Sequence, residues 1–216
     1  VTRTYRLILT LAVLTWPRAG LAADWEKISD DEGITVYQKK DGDQGTGVSL
    51  RGETVIPARL DDILDTMKDN TRAHLWIPMV KTRRDLKQVS PNERIEYTHI
   101  SMPWPITDRY FINKAKAERL PSGQMRIFVQ SVDQVEESWI EKDKILGFLH
   151  YSEFMLTPVG TGERTHMVIE INSDPRGLIP KFLVNAAQKS WPRKFFTGLN
   201  RMLQEASLLQ NPAVAH

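Results

Sequence analysis

Through most of the chain apolar residues recur at every second position, and near its end they recur at every third and fourth. The alternation is clearest over Arg164–Asn172. There Met167, Ile169 and Ile171 share one face and His166, Glu170 and Asn172 the other, the signature of a half-buried antiparallel strand. Ile34–Gln38, Val48–Val55, Lys81–Val89, Arg94–Met102, Arg109–Arg119, Gln124–Val132 and Leu146–Pro158 read as further strands. The clusters Ser90-Pro91-Asn92, Pro121-Ser122-Gly123 and Gly160-Thr161-Gly162 separate several of them at hairpin spacing, and Asp41–Gly45 reads as one more hairpin loop. Asp24–Ser29 is expected to form a short helix leading into a turn at Asp30–Gly33.

Two segments carry the helical period. After Pro57, a residue suited to a helix's first turn, Leu60, Ile63, Leu64 and Met67 follow i, i+3, i+4, i+7. From Pro180 to about Leu209 an apolar stripe runs through Phe182, Leu183, Ala186, Ala187, Phe195, Leu199, Met202, Leu203 and Ala206. Pro192 lies inside it and is expected to kink the helix, since it lacks an N–H and clashes with the preceding turn. The economical assembly is α+β: a curved antiparallel β-sheet wrapped around a long C-terminal α-helix, a shape that often leaves an internal cavity between the two. No repeat or low-complexity linker divides it.

The first residues do not fit that scheme. Arg3 and Arg6 precede ten uncharged residues, Leu7–Trp16, after which come Pro17 and the small-x-small sequence Gly20-Leu21-Ala22. The apolar run is about half the ~20 residues needed to cross a bilayer, so residues 1–22 read as a cleavable signal peptide and the protein as periplasmic or secreted. This alters the meaning of the charge. The 216 residues carry +2, with 29 basic and 27 acidic side chains, but Arg3, Arg6 and Arg18 all fall in the leader and no acid does, so the remainder carries −1. A generally basic nucleic-acid surface is not supported. The absence of cysteine excludes disulfides, thiol catalysis and Cys-based metal centres.

Two stretches are more specific. Met102-Pro103-Trp104-Pro105-Ile106-Thr107-Asp108-Arg109-Tyr110-Phe111 resembles the Pro-aromatic-Pro, then Arg, segment of START domains, particularly the phosphatidylcholine-transfer branch. Asp174-Pro175-Arg176-Gly177-Leu178-Ile179-Pro180 resembles the segment that leads into that family's final helix, and the order of elements agrees from about Trp25 to Leu209. The resemblance implies a helix-grip fold over residues 24–209, followed by a tail at 210–216. It also implies one lipid (sterol, phospholipid or fatty acid) in an internal tunnel, no cofactor, no catalysis and a monomer. The family commonly has Asp after the Arg, and a second Arg six positions beyond the first. Here these are Tyr110 and Ala115, which argues for a neutral or weakly polar ligand.

For the tunnel wall the candidate residues are Phe111, Asn113 and Ala115 on one strand, Met167, Ile169 and Ile171 on another, and Phe195, Leu199, Met202 and Leu203 on the closing helix. Period alone does not separate such a wall from a dry core. Asn113 is the most informative, because a buried amide needs partners. From Pro175 to Gln204 there are six basic residues and no acid. Within that stretch Lys189, Trp191, Arg193 and Lys194 are the expected contacts with an anionic membrane surface. The five histidines show no metal spacing, and there is no nucleophile elbow, Walker loop or dinucleotide fingerprint. The rival reading is a helix-grip enzyme of the aromatase/cyclase type, using Tyr97, His99, Tyr110 or His150 as its acid–base group. A third is an adaptor that uses the fold only for docking.

Overall fold

The computed structural model describes residues 25–39 and 48–210. The segment expected to be a leader, the hairpin loop expected at Asp41–Gly45 and residues 211–216 of the expected tail lie outside the described residues. Gln210, the tail's expected first residue, still belongs to the last helix. Ten strands form one sheet: β1 (Trp25–Asp31), β2 (Ile34–Lys39), β3 (Val48–Ile56), β4 (Val80–Ser90), β5 (Glu93–Ile100), β6 (Arg109–Arg119), β7 (Met125–Ser131), β8 (Ile145–Leu146), β9 (Phe148–Val159) and β10 (Arg164–Asp174). Their spatial order is β1-β2-β3-β10-β9-β7-β6-β5-β4, antiparallel throughout except for short β8, which pairs in parallel with β6. Helices α1 (Leu60–Lys68) and α2 (Ala73–Trp76) fill the connection from β3 to β4, and α3 (Lys181–Gln210) closes the chain.

The helix expected at Asp24–Ser29 is instead strand β1. Glu32 and Gly33 both hold left-handed backbone, with φ of 53° and 74°. That makes a two-residue hairpin turn pairing Asp31 with Ile34, and the hairpin ladder overrides the weak local helical preference. The strand expected at Leu146–Pro158 is broken at Gly147, where a Cβ would stand 2.4 Å from the Phe111 ring. A bulge between Asn172 and Ser173 of β10 then adds a residue to β9 and shifts its inward set from Phe154 and Ser152 to Leu149.

α1 buries Leu60, Ile63, Leu64 and Met67, the four residues its periodicity marks. They pack with Met167 and Ile169 of β10 and with Phe195, Phe196, Leu199, Met202 and Leu203 of α3. α3 is helical across Pro192, whose ring is buried against β3. A Cβ on Gly52 would meet it at 2.7 Å, so only glycine lets the helix and strand come this close.

Candidate functional site

Strand alternation sets which side chains face the helix. On β5 these are Arg94, Glu96, Thr98 and Ile100; on β6, Phe111, Asn113, Ala115 and Ala117; on β7, Ile127 and Val129. Between this face and the first half of α3 lies a pocket of about 810 Å³, within the usual range for small-molecule sites. Leu183, Val184, Ala187, Trp191 and Phe195 form its helical wall, with Ile179 of the preceding strap beside them. Phe195 is the hub where pocket meets core: its ring lies 5.1 Å from Trp76, 5.0 Å from Trp191 and 5.6 Å from Phe196.

Of the candidate wall residues, Phe111, Asn113, Ala115, Ile171 and Phe195 line the pocket. Met167, Ile169, Leu199, Met202 and Leu203 do not. They are packed in the core with α1. The reason is that α1 covers only one end of the grip, so one apolar stripe becomes core along its lower half and wall along its upper half. Trp76, Ser152 and the inward residues of β5 also line the pocket, and no sequence period marks them. Trp76 sits in a four-residue helix too short to show a period, and Ser152, in phase with Phe154 before the bulge, is a small polar residue that an apolar alternation does not mark.

The polar groups of the wall are unevenly satisfied. Asn113 Oδ1 accepts the Ser131 hydroxyl at 3.2 Å, and Ser131 Oγ accepts the Leu149 N–H at 2.8 Å. Arg94 donates to Glu96 at 3.1 Å, which neutralises the most buried acid of the pocket. Arg83 donates to the Met67 carbonyl at the end of α1 and to Asn70, and burial pushes its guanidinium pKa down. Ser152 Oγ and Trp76 Nε1 are buried without a hydrogen-bond partner.

The two sequence motifs meet at one side chain. Arg109, 1% exposed, donates to the carbonyls of Thr107, Pro175 (3.3 Å) and Arg176 (2.9 Å). It thereby ties the loop before β6 to the strap before α3. Gly177 follows at φ 69°, and a Cβ there would crowd Arg109 Nη2 at 3.1 Å. Next to it, Asp108 accepts the Met102 N–H and a bond from His99 Nε2, both at 2.8 Å. The Met102 N–H, followed by His99, holds the Asp108 carboxyl below its ordinary 3.8. A depressed carboxylate stabilises the fold above pH ~4, and that contribution is lost as pH falls through the lower folded value. Asp108→Asn is expected to lower the melting temperature by a few degrees at pH 7, and the difference from wild type should shrink in melts below pH ~3.5.

The four candidate acid–base groups do not converge. Tyr97 and Tyr110 stack on each other at 5.9 Å in a separate cluster, His99 is held by Asp108, and exposed His150 packs edge-on to Phe148. None of the four lines the pocket. Nor do the expected membrane contacts form one outward face. Trp191 turns inward to the pocket, Arg193 is bonded to Asp31 and to Ser29, and Lys189 and Lys194 remain exposed. Among the described residues no helix is long and apolar enough to cross a membrane, and no group of His, Asp or Glu could hold a metal ion.

A sheet gripping a C-terminal helix, with a pocket between them whose lining includes a buried arginine, defines a helix-grip fold. The chain belongs to the START domain family, whose profile matches residues 17–207. It is 28% identical over 196 residues to an uncharacterised protein of Pseudomonas aeruginosa, covering 89% of this chain and 93% of that one. It is 26% identical over 186 residues to the phosphatidylcholine transfer protein of Bos taurus, covering 84% and 85%. Among solved structures, a fragment of a STAR-related lipid transfer protein from Xanthomonas axonopodis superimposes with a TM-score of 0.72 at 24% identity, covering 84% and 99%. Members of the family bind lipids.

Proposed function

We propose that this protein is an exported lipid carrier that holds one lipid in the pocket between sheet and helix and performs no catalysis. The observation that carries the reading is a pocket of about 810 Å³, between the sheet and the last helix, in a START domain chain. Each Å² of lipid surface it takes from water contributes about 25 cal/mol. The leader-like residues 1–22 support export to the periplasm or beyond. The cyclase reading finds no acid–base group in the pocket wall among its candidates.

In this reading the end of the pocket tied by Arg109 is its mouth, and the membrane contact belongs there rather than to the middle of α3. Trp104 is 92% exposed, Leu178 97% and Phe182 69%. They flank Met102, Pro103, Pro175 and Ile179, which line the pocket at the end tied by Arg109, and exposed Arg176 and Lys181 lie beside them. Solvated apolar side chains of this size, next to cations, suit insertion between anionic headgroups. The test is extraction of labelled lipid from vesicles. The wild type is expected to remove lipid into solution, whereas Trp104→Ser combined with Phe182→Ser should weaken vesicle binding by about tenfold or more. Its melting temperature should be unchanged, because both residues are exposed. Undiminished binding would remove the mouth as the docking site, and failure of the wild type to extract any lipid would remove the carrier reading.

A further inference from the structure

A second concavity, of about 510 Å³, lies on the flank of the molecule between α2 and the outer side of α3. It shares eight residues with the main pocket: Trp76 to Met79 on one side and Ala187, Ser190, Trp191 and Lys194 on the other. The two spaces therefore adjoin along these residues. The flank groove has a pronounced charge. His74, Arg193, Lys194 and Arg201 line it, and no acid does.

Two of its groups lack partners. Lys194 is exposed and makes no hydrogen bond or ion pair among the described residues, while Arg193 is engaged by Asp31 and Arg201 by the Leu75 carbonyl. Trp76 is 3% exposed, yet its Nε1–H has no acceptor. A buried donor without a partner is costly, so its presence in a wall shared by two cavities points to an acceptor that arrives with a ligand. The acids inside the main pocket do not oppose an anion, because Glu96 is paired with Arg94 and Glu93 with Lys114 at 3.8 Å.

Building on the carrier reading above, we infer that the shared wall around Trp76 and Lys194 is an oxyanion site, which makes the preferred ligand an anionic amphiphile. Its carboxylate or phosphate takes the Trp76 N–H and the Lys194 ammonium, and its acyl part occupies the main pocket. This departs from the neutral ligand suggested by Ala115. The cation that position lacks is supplied here from α3.

The experiment incubates the full chain with vesicles of equal parts dioleoylphosphatidylcholine and dioleoylphosphatidic acid, re-isolates the protein and counts the bound lipids by mass spectrometry. The wild type is expected to favour phosphatidic acid by about tenfold, the usual worth of one charge-assisted contact. Lys194→Gln, on an exposed residue, should bring the ratio near one. Trp76→Phe, which keeps the ring against Phe195, should also lower it. Inorganic phosphate in large excess should leave the wild-type preference intact. A wild-type ratio at or below one, or a preference indifferent to both variants, overturns the inference. So does a preference abolished by free phosphate, which would mark a plain anion site. Uptake of both lipids without preference overturns this inference alone, whereas uptake of neither overturns the carrier reading with it.

Discussion

Arg109→Met is expected to destabilise the fold by about 3–5 kcal/mol, seen as a fall of about 10 °C or more in the melting temperature. The side chain is 1% exposed, and desolvation pushes its pKa down, but a guanidinium keeps its charge in a protein. That charge is tolerated because three carbonyls, from Thr107, Pro175 and Arg176, receive its N–H groups. Methionine fills much of the volume and supplies no donor, leaving three acceptors unsatisfied at about 1–3 kcal/mol each, part of which relaxation recovers. Arg109→Lys is expected to recover little, since one ammonium cannot span the fork that reaches Pro175 and Arg176 together. Because the same bonds hold the loop before β6 against the strap before α3, sites around Thr107 and Arg176 should also become more open to protease. A variant that melts like the wild type would show that the strap is held by packing alone.

Filling the pocket is expected to abolish lipid uptake without harming the fold. Ala115 on β6 and Ala187 on α3 face the space from opposite walls. Ala115→Trp combined with Ala187→Trp places two indoles in it. Excluding even about 60 Å² of a ligand's apolar surface costs about 1.5 kcal/mol, or about tenfold in affinity, and two indoles exclude more. The melting temperature should fall by no more than several degrees: rings entering the pocket gain dispersion contacts, partly offset by overpacking where Ala115 already packs on Val129 and Leu149. Extraction from vesicles, measured beside the thermal melt, reads both. Undiminished uptake by a folded double variant would place the lipid elsewhere.

Most of the sheet, with β1 and β8 the exceptions, and the helices α1 and α3 were legible because each carries a period. β6 begins and ends where its alternation does, at Arg109 and Arg119, and the four apolar residues of α1 are the four it buries. What the period cannot carry is the boundary between core and pocket. Ile169 and Ile171 are equivalent in sequence, yet one lies under α1 and the other lines the pocket. That difference depends on how far a helix from a distant part of the chain extends. The same applies to α3, whose basic residues read as one face. Arg193 is drawn off by Asp31, an interaction that depends on the edge hairpin, and Trp191 is turned inward by Phe195. Arg109 was legible as part of a motif. Its partners were not, since they stand 66 and 67 residues away.

The central claim is that one lipid occupies the space between sheet and helix. Native mass spectrometry of the wild-type chain, re-isolated from vesicles of mixed lipids, tests it most directly. A single adduct of one lipid mass per chain, absent from the Ala115→Trp, Ala187→Trp variant, is the expected result. A bare chain, or a ladder of several lipids that the filled variant also shows, would contradict it.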